Sequence, residues 1–301
     1  MRQKSGKRFK NELPFYIMLA PGIILTAIFS YVPMMGLIMA FQKFNPGKGF
    51  FHSPFVWFDN FKFIFNQPNI WNVTRNTLVI AGAKMILGIL VPLVLALLIN
   101  ELMSPKFKKL VQTSFFLPYF LSWAIVASVI YQMFSLNGPV NQILENIGMG
   151  RISFFTDNSV FPLLLVFSDT WKGMGMNIVI YLAAITNSDQ SHYEAAAVDG
   201  ANRLHQMWYI TLPAILPIVV LTMTLALGNV LNAGFDQIYL LYNPLVYESA
   251  DILDTFVFRL GIGQKLYSPA AALGLVKSVI TCLLTSISYY MAYKFAGYRV
   301  F

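Results

Sequence analysis

The sequence predicts an all-α integral membrane protein with six transmembrane helices, both termini in the cytoplasm, and a helical hairpin on the cytoplasmic side. The chain is 57% hydrophobic and only 11% charged, whereas a soluble domain carries roughly 25% charged residues. Its mean hydropathy is +0.61. Six apolar runs are long enough to cross a hydrocarbon core of roughly 30 Å as helices. These observations exclude a soluble globular domain.

The six predicted spans are separated by polar segments. They cover about residues 15–41, 77–99, 110–134, 160–186, 213–241 and 269–294. Pro118 predicts an interruption of the third span, because proline cannot donate a helix hydrogen bond. The chain therefore divides into a basic tail, a first helix with an external segment, and a five-helix core that holds one long loop. These parts cover residues 1–13, 14–76 and 77–301, with the loop at 187–212.

The external segment at 42–76 is dense in aromatic residues. It contains Phe50, Phe51, Phe55, Trp57, Phe58, Phe61, Phe63, Phe65 and Trp71. Such a run is typical of a segment that lies in the lipid headgroup zone. A contact surface for an external partner is the alternative.

The basic residues predict the orientation in the membrane. Five of them precede the first span: Arg2, Lys4, Lys7, Arg8 and Lys10. Lys106, Lys108 and Lys109 follow the second span, and Lys294 and Arg299 close the chain. The predicted topology puts eleven Lys and Arg on the cytoplasmic side and seven outside, as the positive-inside rule requires. The net charge of +8 thus follows topology rather than a folded basic patch, which argues against nucleic-acid binding.

The sequence contains no recognisable catalytic motif or metal-binding cluster. The single cysteine, Cys282, lies in an apolar run, and the three histidines (His52, His192 and His205) have unrelated spacings in loops. We therefore expect no catalytic residues and no metal site. No G-x-x-x-x-G-K-[ST] motif is present, so this chain cannot cradle a nucleotide phosphate. We expect a protein that is not an enzyme and holds no cofactor.

The loop between the fourth and fifth spans predicts a short helix, a break and a second short helix. Ser191 is the expected N-cap of the first helix, with Glu194 closing a capping box. Gly200 supplies the break, and Pro213 marks the start of the next helix. The charge count places this loop in the cytoplasm without using the loop itself.

The same loop resembles the EAA loop of membrane subunits of ATP-binding-cassette (ABC) importers. Glu194-Ala195-Ala196, Gly200 and Ile210-x-Leu212-Pro213 meet every fixed position of the pattern Glu-Ala-Ala-x3-Gly-x9-Ile-x-Leu-Pro. The resemblance implies that this hairpin is a coupling helix seated in a cleft of an ATPase subunit. The implied ATPase-coupling residues are Tyr193, Glu194, Ala195, Ala196, Asp199, Gly200 and Ala201.

Further stretches resemble the maltose-transporter-like permeases of carbohydrate uptake, and within them the permeases for oligosaccharides or polysaccharide fragments. These stretches are Asp59-Asn60-Phe61, Asn76-Thr77, Phe116-Leu117-Pro118 and Trp171-Lys172. The chain departs from the family at Asn187–Ser191, where Ile-Pro often stands, and at Met207-Trp208-Tyr209, where Phe is usual.

The resemblance implies a set of partners and a mechanism. The chain would be one of two permease subunits in the cell membrane, paired with a second, distinct permease. Two ATPase subunits would bind ATP and Mg, and an external solute-binding protein would deliver a sugar or oligosaccharide. Closure of the ATPase subunits on ATP would drive alternating access.

Polar residues within the spans cost free energy in lipid, so each one requires a structural or functional explanation. Lys84 and Lys277 are expected to snorkel toward the outer surface. Asp169 and Lys172 share a helix face, either as an ion pair or in a substrate path. Asn229, Asn232, Asp236 and Tyr239 are predicted to form one stripe on the fifth span, which is either a sugar-binding surface or interhelical hydrogen-bonding contacts. Trp171, Asn177 and Tyr181 are further lining candidates.

Two other function classes fit parts of the pattern. An ion-coupled secondary transporter would use Asp169, Lys172 and Asp236 as its relay, and collapse of the proton gradient with ATP retained would stop its uptake. An exporter or assembly scaffold would use the same cytoplasmic loop and would need no external binding protein.

Overall fold

The computed structural model describes residues 4–296, which are almost entirely helical. An isolated antiparallel bridge joins Gln42 and Phe55 in this part of the chain. The principal helices are α1 (Lys4–Thr26), α2 (Ile70–Asn100), α3 (Pro105–Phe116), α4 (Trp123–Phe134), α5 (Phe161–Thr186), α6 (Gln190–Val198), α7 (Arg203–Gly228), α8 (Phe235–Leu241) and α9 (Tyr267–Ala296). Shorter helices cover Gly49–His52, Asp59–Phe65, Pro139–Asn146, Tyr247–Ala250 and Leu253–Phe258.

Four of these helices are long and apolar enough to cross a membrane. They are Glu12–Phe41, Ile70–Asn100, Arg203–Gly228 and Tyr267–Met291. A fifth crossing is reached within residues 4–296 if a bent helix pair counts as one span. The fourth predicted span is present as α5, but Asp169, Lys172 and Asn177 interrupt its apolar sequence. The all-α membrane class is thus confirmed, whereas the count of six spans stays a prediction.

The two chain ends bear only partly on the predicted orientation. α1 begins at Lys4, within the predicted basic tail, and the apolar span that starts in it at Glu12 continues beyond its end at Thr26 to Phe41. Arg2 and Arg299, which contributed to the charge count, lie outside the described residues. The cytoplasmic placement of both termini therefore remains a prediction.

The third predicted span is sharply bent rather than straight. Its two halves, Pro105–Phe120 and Trp123–Asn146, meet at an angle of 106°. The break follows Pro118, as expected, and Ser122 restarts the helix by accepting a hydrogen bond from the Ile125 N–H at 3.4 Å. The interruption predicted at Pro118 is therefore confirmed, and it takes the form of a sharp bend.

The prediction of a continuous fifth span over 213–241 is wrong. α7 ends at Gly228, the chain leaves the helical conformation, and α8 begins at Phe235 after Gly234 with φ +92°. Because the helix stops there, Asn229, Asn232, Asp236 and Tyr239 do not form one helical stripe.

The start of α7 also differs from the prediction. The helix begins at Arg203, where the Asn202 side chain accepts from the His205 N–H, rather than at Pro213. Pro213 is accommodated inside the helix by one wide turn over Met207–Thr211, in which the Leu212 N–H donates to the Met207 carbonyl, five residues back. Proline at this position would clash with a regular helix, so the wide turn relieves the clash.

The described residues form two compact units. The smaller one combines the chain up to Gln67 with Val257–Val276. Within it, the Phe44 N–H donates to Ser268 Oγ at 2.9 Å, and the Phe44 and Tyr267 rings meet edge to face. The aromatic segment that precedes Gln67 folds as two short helices and keeps Phe51 and Trp57 exposed.

The larger unit contains Pro68–Phe256 and the chain from Lys277 onward. Its most extensive helix contact is between α2 and α5. One apolar cluster gathers around Ile80, Leu165 and Ile238, and a second around Ile178, Tyr181 and Ile215. α5 contributes to both clusters, so it is the central helix of this unit.

Gly175 allows α5 to pass close to the end of α3, and this contact supports a stability prediction. A Cβ at Gly175 would lie 2.3 Å from the Phe115 carbonyl oxygen and 2.6 Å from the Phe116 Cα. Both atoms are backbone, so relieving the overlap requires the helices to move apart. We expect Gly175→Ala to lower the free energy of unfolding by about 1–3 kcal/mol, measured by thermal unfolding in detergent.

Gly173, two residues earlier in α5, is the matched control. A Cβ there would meet nothing within 4 Å. Gly173→Ala should be neutral or stabilise the helix by up to about 1 kcal/mol, since alanine favours helix more than glycine. Equal losses for the two alanine variants would contradict the close approach.

Candidate functional site

The loop between α5 and α7 folds as the predicted short helix and break, but the predicted second short helix is the start of the long helix α7. α6 covers Gln190–Val198, but its N-cap is Asp189 rather than Ser191. Asp189 Oδ1 accepts the Ser191 N–H at 2.9 Å, so the predicted capping box of Ser191 and Glu194 is wrong. The hydrogen bonds from Ser191 hold the pKa of Asp189 below its ordinary value. The ionised cap therefore stabilises α6 at pH values above the ordinary pKa of an aspartate. This stabilisation is lost as the pH falls through the lowered pKa of Asp189 in the folded protein.

Gly200 terminates α6 in the way the sequence predicts. Its φ is +81°, a conformation that side chains with a Cβ rarely adopt. The Ala201 N–H donates to the Ala196 carbonyl at 2.9 Å, and the Gly200 N–H to the Ala197 carbonyl at 3.1 Å. This hydrogen-bond pair is the Schellman motif, which turns the chain sharply after the helix. The break at Gly200 therefore has a backbone cause.

Tyr193 ties α6 to α7 across this break. Its hydroxyl donates to Thr211 Oγ1 at 3.0 Å and lies 3.3 Å from Ser188 Oγ. Thr211 is buried. At the start of α7, Arg203 pairs with Glu101, the residue that follows α2, at 3.6 Å. A hydrogen bond thus ties α6 to α7, and an ion pair ties the start of α7 to the end of α2.

The remaining hairpin residues face outward. Glu194, Ala195, Asp199 and Gly200 are exposed, while Ala196 and Ala201 are half-buried. Within residues 4–296, no hydrogen bond or ion pair involves the Glu194 carboxylate. Val198 is 88% exposed, which leaves a small-residue helix with an uncovered face.

A second candidate site lies where the fifth predicted span is broken. An open cavity of about 310 Å³ is bordered by α2, α5, α7 and the residues that follow Gly228. Its polar lining residues are Lys84, Asp169, Asn177, Thr222, Asn229 and Asn232. Four of the nine predicted substrate-path residues therefore meet here: Asp169, Asn177, Asn229 and Asn232. The helix break, not a helical stripe, brings them together.

Lys84 is buried in the wall of this cavity and does not snorkel. Its side chain is only 8% exposed, and its ammonium donates to the Ala233 carbonyl at 2.7 Å and to Gln237 Oε1. Asp169 Oδ1 lies 3.5 Å away. The predicted pairing of Asp169 with Lys172 is therefore wrong: Asp169 pairs with Lys84 from α2. Because Lys84 holds Ala233 and Gln237, it stabilises the irregular backbone between α7 and α8.

Gln237 completes this network and was missed at the sequence level. It is fully buried, and its amide donates to the Leu165 carbonyl and to Ser168 Oγ, both at 2.7 Å. A signal was available, since Gly228, Asn229, Asn232 and Gly234 within one apolar run favour a turn. The high overall hydropathy of the run nevertheless favoured the prediction of a continuous helix.

Lys172 turns away from Asp169 toward the other side of α5. Its ammonium donates to the Tyr119 carbonyl at 3.1 Å and lies over the rings of Tyr119 and Trp123, 5.6 and 5.4 Å from their centroids. Cation–π contacts of this kind satisfy the charge without a carboxylate. Lys172 does not line the cavity around Lys84.

The other predicted path residues also lie outside this cavity lining. Trp171 packs against both apolar clusters of the larger unit. Tyr181 is fully buried, and its hydroxyl forms a 3.0 Å hydrogen bond with Oγ1 of Thr222, which lines the cavity. Asp236 is exposed, and Tyr239 stacks on Phe235 with ring centroids 5.3 Å apart.

Lys277 is paired rather than snorkelling. Its ammonium lies 2.5 Å from Asp254 Oδ1 and donates to Asn232 Oδ1 at 2.9 Å. Asn232 in turn donates to Asn229 Oδ1 at 3.1 Å. This second ion pair fixes the two asparagines of the cavity rim.

The chain is similar to membrane components of transport systems over most of its length. The family model described as "Binding-protein-dependent transport system inner membrane component" matches residues 88–296. Protein LplB of Bacillus subtilis is 39% identical, with 95% of this chain and 90% of LplB covered. The polygalacturonan/rhamnogalacturonan transport system permease protein YteP of the same species is 38% identical, with 93% and 88% covered.

A solved structure shares the fold. It is a crystal structure of a bacterial alginate ABC transporter in complex with an alginate pentasaccharide-bound periplasmic protein. The similarity has a TM-score of 0.88 at 35% identity and covers 97% of this chain and 98% of that one.

Proposed function

Because the chain belongs to the binding-protein-dependent transport system inner membrane components, we propose that it translocates a sugar or oligosaccharide as a permease subunit of an ABC importer. Members of this family are multi-pass proteins of the inner membrane and transport components rather than enzymes. The proposed solute is delivered by an external solute-binding protein, and the energy comes from separate ATPase subunits.

The observation that carries this proposal is the exposed hairpin between α5 and α7, which we propose to lie on the cytoplasmic side. α6 ends in a Schellman turn at Gly200, is tied to α7 through Tyr193 and Thr211, and leaves Glu194 exposed. A short helix held to the ends of two long helices can transmit a rigid-body movement to them. We therefore assign coupling to Tyr193, Glu194, Ala195, Ala196, Asp199, Gly200 and Ala201.

The finer parts of the proposal concern topology and partners. We propose six spans with both termini in the cytoplasm, a second and distinct permease subunit, and two ATPase subunits that bind ATP and Mg. The substrate path is assigned to the cavity residues Asp169, Asn177, Asn229 and Asn232. The names of the relatives support a carbohydrate as the solute, since YteP and the alginate transporter are named for polysaccharides.

Reconstitution of the assembled complex tests this function. The chain is purified with its neighbouring subunits, placed in proteoliposomes and supplied with binding protein and labelled oligosaccharides. We expect uptake that requires ATP inside and continues when an ionophore collapses the proton gradient. Uptake that survives without ATP, or needs no binding protein, would contradict the proposal.

A further inference from the structure

The cavity at the helix break contains two ionisable groups of opposite sign, and only one of them is available to a solute. Lys84 and Asp169 are its titratable lining residues. A lysine ammonium has three protons to donate. Lys84 faces three acceptors, namely the Ala233 carbonyl, Gln237 Oε1 and Asp169 Oδ1. With its side chain 8% exposed, Lys84 has no donor left for a solute.

Asp169 differs from Lys84 in its accessibility. Its side chain is 35% exposed, and Lys84 approaches one of its two carboxylate oxygens, at 3.5 Å. A carboxylate offers about four lone-pair sites, so acceptor capacity remains toward the cavity. The charged atoms that a solute can reach there are therefore the carboxylate oxygens of Asp169.

A nearby lysine, Lys277, does not add a free positive charge to the cavity. Lys277 contacts the cavity through Asn232, but its ammonium lies 2.5 Å from Asp254 Oδ1. The side chains of Lys277 and Asp254 are 13% and 26% exposed. The charge of Lys277 is thus countered by Asp254.

We infer that Asp169 determines substrate class by accepting hydroxyl hydrogen bonds from a neutral sugar segment, while it disfavours the carboxylate of a uronic acid. The inference rests on the proposed function and deepens it. Sugar hydroxyls are hydrogen-bond donors that an ionised acceptor binds strongly, whereas two carboxylates in close contact repel each other. Lys84 acts as a positioning residue that holds Asp169 at the cavity. The alginate transporter is named for an acidic polysaccharide, so similarity alone would not lead to this prediction.

The size of the cavity limits how much of the solute can lie next to Asp169. A volume of about 310 Å³ is at the lower end of the range for small-molecule sites. It surrounds a short part of an oligosaccharide rather than a whole chain. The contact therefore selects by the chemistry of individual sugar units, not by overall length.

The test compares matched sugar pairs in the reconstituted complex. β-1,4-mannotriose and β-1,4-trimannuronate differ at carbon 6, which carries a hydroxymethyl group in one and a carboxylate in the other. A cellotriose and cello-triuronate pair is used in the same way. ATP-dependent uptake of each sugar is measured for the unaltered chain and for Asp169→Asn, with the same saturated binding protein. Because that protein is common to both measurements, its own preference cancels from the change in the uptake ratio.

We expect the unaltered complex to favour the neutral sugar and Asp169→Asn to reduce the neutral-to-uronate ratio by about tenfold, the equivalent of one charge-assisted hydrogen bond. Asp169→Glu should keep the preference. Glu145→Gln is the matched control, because it removes one carboxylate from an ion pair with Arg151 outside the cavity and should leave the ratio unchanged. Co-purification of the subunits checks that each variant assembles.

The outcomes separate this inference from the proposed function. ATP-dependent uptake with an unchanged or increased neutral-to-uronate ratio in Asp169→Asn overturns the role of Asp169 and leaves the importer function standing. Absence of ATP-dependent uptake for every sugar overturns both.

Discussion

Replacing Glu194 with lysine in the assembled importer is expected to abolish ATP-dependent uptake while the chain still inserts in the membrane. Glu194 is exposed on α6, and no residue among 4–296 holds its carboxylate. Reversal of its charge therefore leaves the chain's own packing intact. On the proposed ATPase surface, reversal of a charge in a contact costs about 2–5 kcal/mol, which reduces coupled transport by at least an order of magnitude. Solute uptake and co-purification of the ATPase subunit are the measurements.

Gly200 provides a matched pair of variants for the same interface. A Cβ at this position meets nothing within 4 Å, and φ is +81°, a conformation that Asn and Asp tolerate better than other residues with a side chain. Gly200→Asn and Gly200→Asp thus impose similar backbone strain but differ in charge. We expect Gly200→Asp to abolish uptake and Gly200→Asn to retain a measurable part.

A charge reversal elsewhere serves as the control for Glu194→Lys. Asp59 is exposed in the smaller unit and lies 3.8 Å from Lys62. Asp59→Lys makes the same change in net charge away from the hairpin, so uptake should persist. Normal uptake by Glu194→Lys or Gly200→Asp would remove the hairpin from the coupling mechanism.

Replacing Lys84 with methionine is expected to lower the free energy of unfolding by about 4 kcal/mol. The change orphans the Ala233 carbonyl and Gln237 Oε1, and both residues are fully buried. Each unsatisfied buried acceptor costs about 1–3 kcal/mol. Asp169 also loses its partner, but its partial exposure allows water to compensate. Thermal unfolding of the purified complex in detergent measures the loss.

Two further variants make this prediction specific. Lys62→Met removes a lysine whose side chain is 76% exposed, and it should change stability by no more than about 0.5 kcal/mol. In the double variant of Lys84→Met with Gln237→Leu, one of the orphaned acceptors is gone. The combined loss should therefore be smaller than the sum of the two single losses. Additive losses, or equal losses for Lys84→Met and Lys62→Met, would contradict the network.

The sequence predicted the hairpin better than the polar residues within the spans. The break at Gly200 was predictable because it depends on local backbone chemistry, and the Schellman hydrogen bonds involve neighbours within five residues. The N-cap was assigned two residues too late, since both Asp189 and Ser191 are good caps. Geometry within one turn decides between two such candidates.

The ion pairs could not be predicted in the same way. Asp169 and Lys172 are three residues apart, so helix spacing favoured their pairing. In the structure, Lys84 from α2 pairs with Asp169, while Lys172 contacts Tyr119 and Trp123. These partners lie 49 or more positions away in the chain, and no pattern along one helix contains them.

The sequence by itself determined the membrane class, the family and the helix break at Gly200, because hydropathy, motif spacing and turn chemistry are local properties of the chain. Only the tertiary structure decided where the fifth span breaks and which polar groups meet at the break. An apolar run can continue as a helix or stop. The outcome depends on whether distant residues hydrogen-bond the backbone N–H and C=O groups that lose their helix partners. Here Lys84 does so for Ala233, and Gln237 links that break to α5.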